Sequence, residues 1–379
     1  MQLPEGSRIA GKVAKLNRCI YGLKQSPREW YSRLVTFLTP YGFACSTFDP
    51  CVLVHDTGDF FIAIYVDDLT LFGPSDSLMD KLVSVLKSEF KVNDLGPVHW
   101  LLGIQIEMTP QGITLSQPTF IDKVLKRFRM ENCTPVSLPI EDATTITKDS
   151  GTALRSATSY QQIVGSLMYL VTATRPDLAF TITFLSQFNS MPTTTHLKAA
   201  QRTLKYLKGT RDFKLVYHWD QPLALTGYCD ASYGNCLDTR RSFTGFLFQL
   251  GTSTICWKSR KQKSVARSTL EAEYMALSLA NRQHKWLTEA LAELLPTPPP
   301  AALFCDNMAA IDTAHNPKIN DRTKHIDIAY HSTREMIENG SLVLMHVPGE
   351  YNLSDICTKG LPRPRLEQLC DSIQGIVTN

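Results

Sequence analysis

No two of the ten cysteines form a C-x-x-C pair, so the sequence lacks the spacing of a zinc ribbon or a dithiol redox motif. They are scattered from Cys19 and Cys45 to Cys357 and Cys370, and most read as small buried hydrophobes. A basic-then-apolar leader at Met1 is also missing, as is any apolar run near the ~18 residues a membrane span needs. Charge of one sign is scarce: 39 Lys and Arg against 36 Asp and Glu leave +3. That total is too small to argue for a nucleic-acid partner, so local basic clusters must carry such a case. The expectation is a soluble, intracellular chain, in cytoplasm or nucleus, with no membrane partner.

What is present suits folded domains. With 43% hydrophobic and 20% charged residues the chain can bury substantial cores, and 379 residues fit two domains better than one. Residues 61–66 are β-branched and aromatic, and 69–72 resume that character after two aspartates, predicting a hairpin with Asp67 and Asp68 at its tip. Leu78, Leu82, Val85, Leu86 and Phe90 recur at helical spacing after Pro74-Ser75-Asp76. A second helix is expected over 120–128, with Pro118 near its first turn and Lys123, Lys126, Arg127 and Arg129 on its polar side. Residues 159–208 read as helical, with an apolar stretch at 163–171, a break at Arg175-Pro176 and a basic face through Lys198, Arg202, Lys205 and Lys208. Strand character begins near Leu223, which places a domain seam at 211–222. The proline run at 296–300 resembles a linker, but an acidic set described below spans it.

Two adjacent carboxylates at a hairpin tip repel unless a cation holds them, and a hard, oxygen-rich site suits Mg²⁺ and phosphoryl transfer. A solvated turn is the plain alternative. The surrounding words decide between them. Tyr65-Val66-Asp67-Asp68 resembles the Y-x-D-D motif of reverse transcriptases. Tyr21-Gly22-Leu23-Lys24-Gln25-Ser26-Pro27-Arg28, followed by Trp30-Tyr31, resembles a stretch of copia-type retrotransposon Pol polyproteins. That resemblance implies a palm in which Asp67 and Asp68 bind metal, with Gly22, Lys24, Gln25 and Tyr65 near the nucleotide or template. Asp94-Leu95-Gly96 and Trp100-Leu101-Leu102-Gly103-Ile104 look like the family's primer-positioning strand, though ordinary hairpin packing would also account for them. The family's third palm aspartate precedes a Y-M-x-x-P-E-G-like segment, and this sequence opens on Met1-Gln2-Leu3-Pro4-Glu5-Gly6. The expectation is therefore an amino-terminally truncated palm without fingers and with little or no DNA synthesis of its own.

Further along, four acids fall in separate elements. Asp230 follows the strand-like residues 224–229, Glu273 sits in a helical run with Leu270, Tyr274 and Leu277 on one face, Asp306 ends the strand 302–305, and Asp355 opens a last helix. Any one of them could be a solvated carboxylate. Their order, and the words C-D-A-S-Y, W-x-S-R-K-Q, S-T-x-E-A-E-Y, C-D-N, T-K-H-I-D-I and N-x-S-D-I-x-T-K, resemble the copia-type RNase H domain. The resemblance implies two Mg²⁺ ions, bridged by Asp230, with Glu273, Asp306 and Asp355 completing their shells, and cleavage of RNA in RNA–DNA hybrids. Glu273 is preferred to Glu271 because it precedes an apolar-x-Ala-apolar helical run. A histidine near neutral pH is a natural proton shuttle, and His325 and His346 both remain candidates. Lys258, Arg260 and Lys261 beside Trp257 suit phosphate contact, or are a solvated charge run.

The expected fold class is α+β: an incomplete palm over 1–140, a helical connection over 141–222, an RNase H-like domain with a mixed sheet and flanking helices over 223–365, and a tail over 366–379. Expected partners are an RNA–DNA hybrid, RNA template, DNA primer and other retroelement proteins, in virus-like particles or the nucleus. The alternative is a non-catalytic remnant that binds nucleic acid or other element proteins.

Overall fold

The computed structural model describes residues 6, 11–17, 19, 20, 22–315 and 327–375, with only the backbone of 327–331. It is α+β and divides into two compact units: Met1–Gly96 with Glu289–Pro298, and Pro97–Thr288 with Pro299–Asn379.

In the first unit, α1 (Ser26–Leu38), β1 (Phe43–Cys45), β2 (Val52–His55), β3 (Phe61–Tyr65), β4 (Asp68–Phe72) and α2 (Asp76–Glu89) follow in order. The strands form an antiparallel sheet in sequence order. Alternation along β3 turns Ile62 and Ile64 into a core that Leu34 and Leu38 of α1 and Leu82 and Leu86 of α2 close. The predicted hairpin is present, with Tyr65 paired to Asp68, so Val66 and Asp67 alone make the turn. Val66 takes a left-handed φ of 58°, unusual for a β-branched residue, and the Trp30 indole N–H donates to its carbonyl at 2.8 Å.

The second unit opens with β5 (Trp100–Leu101), β6 (Ile104–Thr109), β7 (Gly112–Ser116) and α3 (Pro118–Arg127), followed by the helices α4 (Thr158–Ala173), α5 (Ala179–Ser186) and α6 (Thr194–Gly209). β8 (Lys214–His218) then returns to pair with β7, Leu215 opposite Leu115. Next come β9 (Leu225–Ser232), β10 (Phe243–Leu250), β11 (Ser253–Lys261), α7 (Thr269–Leu294), β12 (Ala301–Cys305), α8 (Met308–His315), α9 (Asp327–Glu338), β13 (Val343–His346) and α10 (Arg363–Gln374). The last residues of α7, from Glu289, group with the first unit. The five-stranded sheet has the order β11-β10-β9-β12-β13, antiparallel through the hairpins and parallel from β9 through β12 to β13. Strands β9 and β12 are parallel neighbours, which requires a crossover, and α7 supplies it.

One apolar cluster runs through this unit: Val124 of α3, Leu167 of α4, Phe180 and Phe184 of α5, Leu204 of α6, Leu215 of β8, Phe243 and Leu247 of β10, and Leu366 and Ile373 of α10. This moves the division away from the seam expected at 211–222. Those residues include β8, and its pairing ties the helices to the sheets on either side. The expected tail is likewise helix α10, with Leu366, Leu369 and Ile373 buried. The break at Arg175-Pro176 is an anchor. Arg175 is fully buried, paired with Asp177 at 2.6 Å, bonded to the Thr210 carbonyl and hydroxyl, and stacked 4.7 Å over the Phe213 ring. Among the described residues, no helix is long and apolar enough to cross a membrane.

Candidate metal centre

Asp230 lies on the central strand β9, where its backbone pairs with Gly245 of β10. A Cβ on Gly245 would stand 2.5 Å from Cβ of Cys357, so this glycine admits the 3-10 turn Leu353–Cys357 onto the sheet beside Asp230. That turn carries Asp355. Asn352 holds it in place: its side-chain N–H donates to the Cys229 carbonyl at 3.0 Å, and its Oδ1 accepts from the Ser354 backbone and hydroxyl. Asp306 follows β12, in parallel register beside β9. Glu273 comes from the second turn of α7, and its Oε2 accepts from the Ala231 N–H at 3.1 Å.

The elements bring the four acids together in two overlapping groups. Carboxylate oxygens of Asp230, Asp306 and Asp355 lie within 4.8 Å of one another, as do ligand atoms of Glu273, Cys305 and Asp306. Asp306, where the resemblance implied Asp230, is the residue the groups have in common. The Cys305 thiol was not anticipated, because a cysteine ahead of an aspartate reads as core. Glu271 serves the helix instead. It accepts from the Arg267 N–H at 2.7 Å while Ser268 accepts from the Glu271 N–H, which caps the start of α7.

Burial and mutual repulsion govern the charges. Burial, opposed by Lys359 and the Thr358 hydroxyl, leaves Asp230 pushed up to about 6. Glu273, buried beside Asp230, Cys305 and Asp306, is pushed up to about 10. Burial also raises Asp306. Two cations flank the cluster. Lys359 Nζ lies 2.6 Å from Asp355 Oδ1 and 3.7 Å from Asp230 Oδ2, and Arg365 reaches Asp355 Oδ2 at 3.3 Å. Burial opposes the Lys359 charge, but Asp230 and Asp355 outweigh it and hold its pKa up. Acids that resist ionising without further positive charge, with oxygen donors from several elements, fit a hard divalent cation.

The remaining candidates are placed differently. His346 is exposed at the end of β13, in register with Cys305 and so one residue from Asp306; His325 lies outside the described residues. On β11 the strand alternates: Lys258 and Arg260 are exposed, whereas Trp257 donates inward to the Val171 carbonyl at 2.7 Å and Lys261 donates to Gln187 Oε1 at 2.5 Å. Asp67, Asp68 and Tyr65 are exposed at the β3–β4 tip, and Gly22, Lys24 and Gln25 lie ahead of α1, all three exposed. Tyr21 lies outside the described residues. Among those residues, no third acid joins Asp67 and Asp68 at ligand distance.

A family model described as reverse transcriptase (RNA-dependent DNA polymerase) matches residues 1–142. The retrovirus-related Pol polyprotein from transposon TNT 1-94 of Nicotiana tabacum is 37% identical over 395 residues, a match covering 100% of this chain and 29% of that protein. The transposon Ty5-1 protein of Saccharomyces cerevisiae is 34% identical over 263 residues, covering 68% of this chain and 85% of that protein. Among solved structures, the foamy viral protease-reverse transcriptase in complex with an RNA/DNA hybrid is 15% identical, with a TM-score of 0.49, covering 91% of this chain and 40% of that one.

Proposed function

This chain belongs to the copia-type retrotransposon Pol family as a reverse transcriptase/RNase H fragment, and from that premise we propose that its second unit hydrolyses the RNA strand of RNA–DNA hybrids with Mg²⁺. One observation carries the reading: four acids from a strand, a helix, a strand end and a 3-10 turn converge in two groups that share Asp306. Asp230, Asp306 and Asp355 would hold one ion, and Glu273 and Asp306, with the Cys305 thiol beside them, a second. Bound there, the ions supply charge neutralisation and Lewis acidity to a phosphodiester and its attacking water.

The chain's own residues do the rest. Asn352 and Arg365 fix Asp355, the Ala231 N–H fixes Glu273, and the Thr358 hydroxyl orients Asp230. His346 stands at the exposed rim beside Asp306, where it can exchange a proton with solvent. Lys258 and Arg260 point outward from β11 and suit backbone phosphates. The RNA 2′-OH distinguishes the strand to be cut.

Among the described residues no third acid joins Asp67 and Asp68 at ligand distance, and an exposed pair supplies fewer ligands than the two ions of nucleotidyl transfer need. This chain by itself therefore does not extend a primer. The test is a labelled RNA–DNA hybrid with Mg²⁺, alongside primer extension on an RNA template. Expected are RNA cleavage that Asp230→Asn removes and no extension. A wild type that leaves the hybrid intact would favour a nucleic-acid-binding remnant instead, and Asp67-dependent synthesis would overturn the polymerase half of the reading.

A further inference from the structure

Two cations serve the carboxylate cluster, and they are held in different ways. Arg365 is fixed: its guanidinium donates to the carbonyls of Gly349, Glu350 and Asn352 and to Gln368, and its side chain is 17% exposed. Lys359 ends between acids. Its ammonium is held at 2.6 Å from Asp355 and 3.7 Å from Asp230, on a side chain 38% exposed, against 10% and 4% for those two acids. The stem thus reaches into a buried site from solvent, on a flexible chain with a compact charge.

From this geometry we infer that Lys359 is a built-in counter-ion, which neutralises Asp230 and Asp355 while no metal is bound and swings out to solvent when a divalent ion takes its place. The inference rests on the metal reading above. One positive charge shared by two acids is a weaker match to the group Asp230, Asp306 and Asp355 than a divalent ion, so the metal wins the contest, but only above a concentration that Lys359 sets. The lysine therefore tunes metal occupancy without being a ligand. Being four residues after Asp355 in the same short stretch, it can leave by side-chain rotation while Asn352 and Arg365 keep Asp355 in place.

The test uses the full chain and Mn²⁺ as probe, its binding followed by loss of the free-ion paramagnetic resonance signal. Removing the competing charge in Lys359→Met should tighten Mn²⁺ binding by about tenfold, and Lys359→Arg should stay within about twofold of wild type. Weaker or unchanged binding by a folded Lys359→Met overturns the inference. A measurement on the wild type stands beside it should that variant fail to fold. Amine acetylation read by peptide mass spectrometry should find Lys359 protected in EDTA and several-fold more reactive in saturating Mn²⁺, whereas equal labelling in both conditions overturns the counter-ion role. A wild type that binds no Mn²⁺ rejects the metal reading itself and takes this inference with it; Mn²⁺ binding that is indifferent to Lys359 rejects the inference alone.

Discussion

The two acidic sites each gather aspartates, yet their surroundings are opposite. Asp67 and Asp68 occupy an exposed hairpin tip, where water screens the pair and neighbouring elements add no third acid among the described residues. Asp230, Glu273, Asp306 and Asp355 are drawn into the fold by four separate elements, and desolvation makes their repulsion costly. The contrast teaches where chemistry is stored. A motif can survive as a local word, but a convergent acid cluster needs long-range packing to assemble it: Gly245 to admit a turn, Asn352 to hold it, Lys359 and Arg365 to offset its charge.

The largest expected effect separates the sites directly. Asp230→Asn should lower hybrid cleavage by at least about a hundredfold, the scale of losing several kcal/mol of charge stabilisation, while Asp67→Asn leaves the rate within about twofold. Equal losses from both, in a gel-based cleavage assay, would break the distinction. Next is the buried pair within the second unit. Arg175→Met strands Asp177 in a fully buried position and should cost about 3–5 kcal/mol by urea denaturation; a loss below about 1 kcal/mol would mean that the pair is not the anchor it looks to be.

The pH dependence of the metal-free protein sharpens the comparison further. A carboxyl whose folded pKa lies above its unfolded value keeps its full contribution to stability below the unfolded value and loses it as pH rises through the folded one. Asp230, raised to about 6, and Glu273, raised to about 10, therefore predict a melting midpoint in EDTA that falls as pH climbs from the ordinary carboxylate range towards 10. Mg²⁺ should flatten that slope. A midpoint in EDTA that climbs with pH over this window contradicts the assignment. The smallest effect belongs to the first unit, where Arg33 and Glu89 pair at 2.6 Å with side chains 63% and 40% exposed. Arg33→Ala should cost less than about 1 kcal/mol in the same urea experiment, because solvent screens the pair; a larger loss would point to the Arg33 stack over Phe90 at 5.4 Å.

Much of this was readable from residue order. The helical spacing of Leu82 and Leu86 announced α2, the β-branched run at 61–66 announced β3, and Gly209 ends α6 as a residue with poor helix propensity should. The acid order D-E-D-D marked the candidate centre because the acids fall in separate periodic segments: strand, helix, strand end and the start of a last turn. What stayed hidden depends on partners far away in the chain. Leu215 and Tyr217 alternate over five residues only, too short a strand to stand out between Arg211-Asp212 and Trp219-Asp220, and its pairing with β7 crosses about a hundred residues. Nothing in T-K says that Lys359 will lie among acids, and nothing in F-T-G-F says that Gly245 must be bare for Cys357 to approach. Trp257 and Lys261 looked outward in sequence because a charge run hides the two-residue alternation of its strand, which turns them in.

Helices α5 and α10 give the last consequence. Phe180 and Phe184 of α5 pack against Phe243 of β10, while α10 lays Leu366 and Ile373 into the same cluster and positions Arg365 against Asp355. An RNase H-like segment excised at residues 223 and 365 would leave behind part of its own floor and roof. The connection and the RNase H-like segment are therefore not cassettes that recombination can exchange freely. A substitution on α5 acts on the five-stranded sheet as well, and the two segments share the cost of a change in either.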